Sequence, residues 1–249
     1  MKNRFLIITP TYNAEDWIER NVESVRSQTH KKFKTVIVND LSEDRTTEFA
    51  QSAIDGDSRF ELITNENRSR PLGSTVNGIN HLNPADDDII VILDGDDWLY
   101  DSSVLDKLNS VYNKEDCLFT YGSYIDFPHE QRGIFSQKIP QEIIKSNSYR
   151  QNQLLASHLK SFRYKLWKRI DHKDLVDFSG AYYPMAGDIS YIFPLLEMAG
   201  SRAKHIEDIL YVYNAYNPLN EHKTDHELQL SIEREIRAKR PYFYAEDLS

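Results

Sequence analysis

An unbroken aliphatic run, Ile89-Ile90-Val91-Ile92-Leu93, stops abruptly at Asp94-Gly95-Asp96-Asp97-Trp98-Leu99. A strand that is apolar at every position has to be buried on both faces, which is the condition of a parallel strand covered by helices on each side. This stretch therefore calls for a layered α/β architecture with the run near its centre. Its carboxylates then fall at the carboxyl end of a central strand, where open α/β sheets bind ligands. In extended backbone residues i and i+2 point the same way, so Asp94 and Asp96 can converge, and Gly95 allows a tight turn between them. Two hard oxygen donors at that spacing suit Mg²⁺ or Mn²⁺, which keep open positions for substrate phosphates. The plainer alternative is a solvated acidic turn following a strand.

The segments before this run alternate in the same sense. Phe5 to Thr9 reads as a buried strand ended by Pro10, and Asn13 is placed to cap a helix of about fifteen residues carrying Trp17, Ile18, Val22 and Val25 on one face, with Asp16 completing a capping box. Phe33 to Val38 forms a second strand, and Ser42 can cap a helix over 43–54. Phe60 to Ile63 forms a third, and Leu72, Val76, Ile79 and Leu82 share one helical face. Strand and helix in alternation predict a mainly parallel central sheet with helices on both faces, in a single domain. Further on, Val104, Leu105, Leu108 and Val111 have helical spacing, Leu118 to Ile125 is a strand region, and 127–157 shows no clear period.

The segment Leu159-Phe162-Leu166-Ile170 is also helically spaced, with Lys160, Arg163, Lys165, Lys168 and Arg169 opposite. An ordinary solvated helix face is the first reading of it, and a face for an anionic acceptor or membrane surface the second. Asp188 opens an apolar helix that ends at Gly200, with Pro194 expected to kink or restart it. A strand over 206–213 leads into a polar loop containing His222. In the last segment Glu233 with Arg237 and Glu235 with Lys239 are i,i+4 pairs that support a helix, which could cover the sheet edge or pair two subunits as a homo-oligomer.

Composition excludes several classes. The 30 basic residues against 39 acidic ones, a formal charge of −9, lack the basic footprint of general nucleic-acid binding. The single Cys117 rules out an internal disulfide framework and fits a reducing compartment, and its setting before Leu118-Phe119 suggests a buried thiol. No apolar run approaches the ~18 residues of a membrane span, and Phe5-Leu6-Ile7-Ile8 is shorter than the ~7–15-residue apolar region of a signal peptide. A cytoplasmic protein is expected on these grounds. Neither a Walker loop nor G-x-G-x-x-G is present.

Four stretches in order, Pro10-Thr11-Tyr12-Asn13, Ser27-Gln28-Thr29, Val36-Ile37-Val38-Asn39-Asp40-Leu41-Ser42-Glu43-Asp44-Arg45-Thr46 and Asp94-Gly95-Asp96-Asp97, together resemble the family 2 glycosyltransferases of the GT-A fold. The likeness extends more loosely through the Asp188 region. It implies metal-dependent transfer of a sugar from a nucleoside diphosphate donor, with UDP-sugar favoured, Mn²⁺ or Mg²⁺ as cofactor, and inversion at the anomeric carbon. On that resemblance Tyr12 stacks on the nucleobase with Pro10 and Thr11 beside it, and Asp40 accepts a hydrogen bond from the base edge. The family usually shows two acids at this point, whereas this chain has Asn39 first. Arg68 or Arg70 and the segment Gly73 to Asn77 correspond to the donor-binding stretch. Asp94 and Asp96 match the DxD motif, with Asp96 toward ribose or metal and Asp97 a metal ligand, and His222 a candidate further ligand.

An inverting transfer also needs a base to deprotonate the incoming hydroxyl. Asp188 is the single candidate, since Gly187 stands where the family carries a second acid; the alternative is a plain helix cap. Residues 1–100 would then form the nucleotide-sugar-binding half, 101–215 the half for a glycan, lipid-linked or protein-linked acceptor, and 216–249 a terminal loop and helix. Competing readings are a non-catalytic domain that binds a nucleotide sugar or glycan, and a nucleotidyltransferase, although the latter's Gly-rich phosphate loop after the first strand is missing. A haloacid-type phosphatase would need its Asp-x-Asp after the first strand, which ends instead in Thr9-Pro10.

Overall fold

Strands β1 (Phe5–Thr11), β2 (Phe33–Asn39), β3 (Phe60–Thr64) and β4 (Ile89–Ile92) are joined by helices α1 (Ile18–Arg26), α2 (Thr46–Ile54) and α3 (Arg70–Leu82). The chain continues through β5 (Trp98–Leu99), α4 (Val104–Lys114), β6 (Phe119–Phe127), a short α5 (Gln141–Ser146), β7 (Lys160–Arg163), the one-turn α6 (Tyr164–Trp167), α7 (Gly187–Ala199), β8 (Ala203–Asn214) and α8 (His226–Ala238). This is a computed structural model, and it describes residues 2–219 and 225–248. One sheet of order β3-β2-β1-β4-β7-β6-β8-β5 runs through the domain.

The first four strands are parallel, with Ile8 opposite both Val36 and Ile92. Because side chains alternate across a strand, one aliphatic run serves two cores. Leu6, Ile8, Val36, Val38, Ile90 and Ile92 face α3 and α7, while Phe5, Ile7, Ile37, Ile89 and Val91 face α1, α2 and α4. All five residues from Ile89 to Leu93 are buried, as the run demanded. β1 extends through Pro10, past its expected end. Pro10 turns its nitrogen, which has no hydrogen to donate, toward the side of the sheet where the β4 ladder ends at Ile92, and its carbonyl accepts from Gly95 N at 2.9 Å.

The segment from Leu159 is not the expected helix. β7 lies antiparallel between β4 and β6, with Ile92 opposite Lys160 and Phe119 opposite Phe162, and α6 follows it. Helical spacing over so short a stretch also fits a strand, and pairing on both sides decides between them. The neighbouring cations are neutralised locally: Lys165 lies 3.2 Å from Asp87, Lys168 pairs with Asp86, and Arg169 reaches Asp247 at 3.0 Å. Asn13 does not cap α1, which begins only at Ile18. At φ 47° it clasps the next loop instead, its Oδ1 accepting from Glu43 N at 2.8 Å and its N–H donating to Ser42 Oγ at 3.0 Å. Helix α2 accordingly starts at Thr46, not at 43.

The stretch 127–157 is ordered by α5, a 3-10 turn at Tyr149–Gln151 and a bridge from Ser136 to Ala156. Helix α7 runs through Pro194 without restarting. Ile232 and Ile236 of α8 are buried in the α7 core, so the terminal helix covers that face of the domain. Glu233 pairs with Arg237 at 2.8 Å as its spacing predicted, whereas Glu235 accepts from the Tyr183 hydroxyl and Lys239 lies near Asp174. Cys117 is buried just before β6, and burial pushes its thiol up to about 12. Among the described residues no helix is long and apolar enough to cross a membrane.

Candidate functional site

Beyond β4 the backbone keeps to β1 for three more residues, Leu93 N donating to the Ile8 carbonyl at 3.0 Å and Gly95 N to that of Pro10, and then turns, with Asp97 N on the Asp94 carbonyl at 3.0 Å. Gly95 is required there by contact: a Cβ would lie 2.3 Å from Thr11 Oγ1. Asn21 of α1 clamps the turn, its Nδ2 donating to the carbonyls of Asp94 at 2.9 Å and Asp97 at 2.8 Å. Asp94 and Asp96 keep part of their surface open, whereas Asp97 is only 1% exposed.

β8 and the loop after it hold the three carboxylates. Asp97 Oδ1 accepts from Asn214 N at 2.7 Å, and its Oδ2 accepts from the Tyr211 hydroxyl, with Asp94 Oδ2 3.3 Å from the same hydroxyl. Asp96 Oδ2 accepts from Asn217 Nδ2 at 2.6 Å. Crowding three acids in a poorly hydrated turn disfavours their charged forms. Burial pushes the Asp96 carboxyl up to about 6; burial also raises Asp94, against the pull of Lys160, and raises Asp97 strongly, with Asp96 and Asp94 adding to it.

A second cluster stands at the carboxyl end of β2. Asp40, 2% exposed, accepts from Ser69 N at 2.7 Å and Arg70 N at 2.8 Å, closing the start of α3. Asn65 Nδ2 donates to Asp40 Oδ1 at 2.7 Å, and Asn65 is braced in turn by Asn77 Nδ2 at 2.9 Å. Arg68 pairs with Asp40 Oδ2 and lays its guanidinium 3.3 Å from the centre of the Tyr12 ring. The Arg70 side chain is exposed. Gly73 is buried in α3, where a Cβ would come 2.9 Å from the Tyr182 ring. Asn39, in place of a second acid, organises the β2–α2 loop: its Oδ1 accepts from Ser42 N at 3.0 Å and its Nδ2 donates to Thr47 Oγ1 at 3.0 Å. Pro10 and Thr11 are buried between the two clusters. Gln28 is fully buried and joins α1 to α4 through Leu105 N and the Asp101 carbonyl.

Asp188 is the second residue of α7 and its side chain is 43% exposed. Its Oδ2 lies 3.4 Å from the ammonium of Lys160, a residue only 3% exposed. Burial works against the charge on Lys160, but Tyr191, Asp188 and Asp94 outweigh it and raise its pKa. His158 stacks on Tyr211 at 4.6 Å, and burial drives its pKa well below the usual value, so it is neutral. His222 lies outside the described residues. Among the described residues no group of three or more His, Cys, Asp or Glu could by itself hold a metal ion.

Sequence reasoning brought Asp94, Asp96, Asp97, Asp40, Tyr12 and Arg68 into view, and the fold gathers them at the carboxyl ends of β1, β2 and β4. It did not find Asn21, Lys160, Tyr211 or Asn217. Asn21 alone carried a signal, as a polar residue on the apolar face of α1.

The profile for "Glycosyl transferase family 2" matches residues 6–175. The chain is 34% identical over 119 residues to the putative teichuronic acid biosynthesis glycosyltransferase TuaG of Bacillus subtilis (strain 168), covering 47% of this chain and 45% of the relative. It is 32% identical over 123 residues to the UDP-Glc:alpha-D-GlcNAc-diphosphoundecaprenol beta-1,3-glucosyltransferase WfgD of Escherichia coli, covering 47% and 44%. The aligned region thus spans less than half the length of these two relatives. Among solved structures, S. aureus TarS in complex with UDP-GlcNAc superposes with a TM-score of 0.68 at 18% identity, over 94% of this chain and 65% of that one. The mannosyltransferase PcManGT of Pyrobaculum calidifontis, in complex with GDP-Man and Mn²⁺, gives 0.63 at 17% identity, over 97% and 66%. These two likenesses establish a shared GT-A fold. With more than half of its residues matched by the profile, the chain belongs to glycosyl transferase family 2.

Proposed function

We propose that this chain transfers a sugar from a nucleoside diphosphate sugar, UDP-sugar first among them, to a hydroxyl of a glycan or lipid-linked acceptor, with inversion. The observation that carries the reading is the grouping of a partly open carboxylate pair, Asp94 and Asp96, with Tyr12 and Asp40 at the carboxyl ends of β1, β2 and β4, and the half-exposed Asp188 beside Lys160. The printed activity of the WfgD relative, a UDP-Glc-dependent glucosyltransferase acting on a diphosphoundecaprenol-linked sugar, agrees with the donor and acceptor classes.

In this reading the nucleobase stacks on Tyr12 and meets Arg68 at its edge, while Asp40, with both oxygens engaged by protein donors, holds Arg68 and the start of α3 in place. The donor set fits a divalent cation: Asp94 and Asp96 offer hard oxygens, and crowded carboxylates held above their usual pKa are relieved by a positive charge. Asp97, with both oxygens engaged by protein donors, would shape the turn and contribute field. When bound, Mn²⁺ or Mg²⁺ supplies Lewis-acid neutralisation of the diphosphate. The acceptor oxygen attacks the anomeric carbon from the face opposite the diphosphate, the new C–O bond forms as the bond to phosphate oxygen breaks, and Asp188 takes the hydroxyl proton.

Calorimetry with UDP, GDP, CDP and dTDP, each with Mn²⁺ and with chelator, tests the donor half. UDP binding that needs the cation and is lost in Asp96→Ala is expected; no binding of any nucleotide would overturn it. Asp188→Asn is expected to lower transfer by about 10²–10⁴-fold while UDP still binds. Binding by the wild type without turnover toward any glycan or lipid-linked acceptor would leave a nucleotide-sugar-binding domain in its place.

A further inference from the structure

We propose that Lys160 is a positioning residue for the transfer, the charged link that holds Asp188 in its working orientation and joins it electrostatically to Asp94. The inference rests on Asp188 being the base proposed above. Its ground is topological. β7 runs antiparallel to β4, so its first residue stands at the end of the sheet where β4 finishes, with Lys160 opposite Ile92. Lys160 and Phe162 share one face of β7, and Phe162 packs in the core beneath α7, so the lysine is directed toward the start of α7, where Asp188 lies.

A lysine 3% exposed is costly unless its charge is met by anions and hydrogen-bond acceptors. Here the groups that favour the ammonium are Tyr191, Asp188 at 3.4 Å, and Asp94. Both carboxylates also keep part of their surface open, so the ammonium serves groups that face the cleft as well as the core. Two acids drawn into one site repel one another, and the Lys160 ammonium works against that repulsion at Asp94. The contact engages Asp188 Oδ2 and leaves Oδ1 to take the acceptor proton. A carboxylate held by one oxygen gives a base of fixed orientation, which a free side chain at the helix start would not.

The test is UDP release from a UDP-sugar that the wild type turns over, found by screening UDP-sugars, with kcat and donor KM measured separately for wild type, Lys160→Met, Lys160→Arg, Asp188→Asn and the double variant Lys160→Met/Asp188→Asn. Lys160→Met is expected to lower kcat about a hundredfold with KM for the donor within about threefold of wild type. Lys160→Arg should recover a substantial part of that loss, and the double variant should be no slower than Asp188→Asn alone, because a residue acting through Asp188 has nothing left to act on. Wild-type kcat in Lys160→Met, or losses that multiply in the double variant, overturns the proposal. So does a raised KM with unchanged kcat, which would make Lys160 a donor ligand. Lys160→Gln replaces the methionine variant should the latter fail to fold. An Asp188→Asn enzyme with wild-type kcat instead defeats the assignment of the base, and the two failures are thereby told apart.

Discussion

Tyr211 donates its hydroxyl hydrogen to Asp97, joining two side chains that are 0% and 1% exposed and stand on β8 and the β4–β5 turn. The bond fastens β8 to the turn that carries Asp94 and Asp96. Removing it in Tyr211→Phe leaves a buried carboxylate short of a donor, a loss of about 1–3 kcal/mol. Urea unfolding should show the midpoint falling with unchanged slope; a midpoint equal to wild type would mean that the hydroxyl carries no net stability.

Asp96 sets a pH dependence whose sign follows from its raised carboxyl, about 6 in the fold. Unfolded, the group titrates near about 3.9, so between these values the folded chain holds the proton more tightly. Its contribution favours folding at low pH and is lost as pH rises through about 6. In chelator, Asp96→Asn should therefore melt higher than wild type at pH 7, by about 2–4 °C for about 1 kcal/mol once partial exposure is discounted. At about pH 4 the difference should close. An equal gap at both pH values would assign the effect to packing rather than to the charge.

Tyr12 presents its ring to whatever stacks beside Asp40, a place taken by the Arg68 guanidinium in this structure. Tyr12→Ala is expected to weaken UDP binding about tenfold, in line with the ~0.5–1.5 kcal/mol of an aromatic pair. Titration calorimetry reads this directly, and unchanged affinity would move the nucleobase elsewhere.

Arg150 and Glu197 form an ion pair with side chains 2% and 0% exposed, bonded at 2.6 and 2.9 Å. Arg150 also donates to the Ile236 carbonyl at 2.7 Å, and Glu197 accepts from Tyr242 N at 2.9 Å, so the pair ties α7 to α8 and the terminal segment. Glu197→Ala strands a buried guanidinium and should cost about 3–5 kcal/mol. A loss below about 1 kcal/mol by chemical denaturation would show that water or another acceptor satisfies Arg150.

The first hundred residues were legible because their information is local. A parallel strand buried on both faces has to be apolar throughout, and Ile89 to Leu93 says so without reference to any other part of the chain. Val22, Val25, Val76 and Ile79 reveal their helices by spacing alone. The carboxylates at Asp40 and Asp94 to Asp97 follow, since chain direction fixes which end of each strand they occupy. Element ends were less legible: Asn13 and Ser42 have the chemistry of helix caps, yet they bind each other's loops.

What the tertiary structure alone decided is held by contacts between residues remote in the chain. Lys160 reads as one cation on a helix face until β4 and β6 claim its segment as a strand. It then becomes buried and faces Asp188. Tyr211 and Asn217 carry no local mark of function, and only the return of β8 to the β4–β5 turn sets them against Asp97 and Asp96. The physical reason is that local pattern reports how each residue meets water along its own element. The polar partners of a buried charge depend on which strands lie side by side, and that depends on the whole sheet.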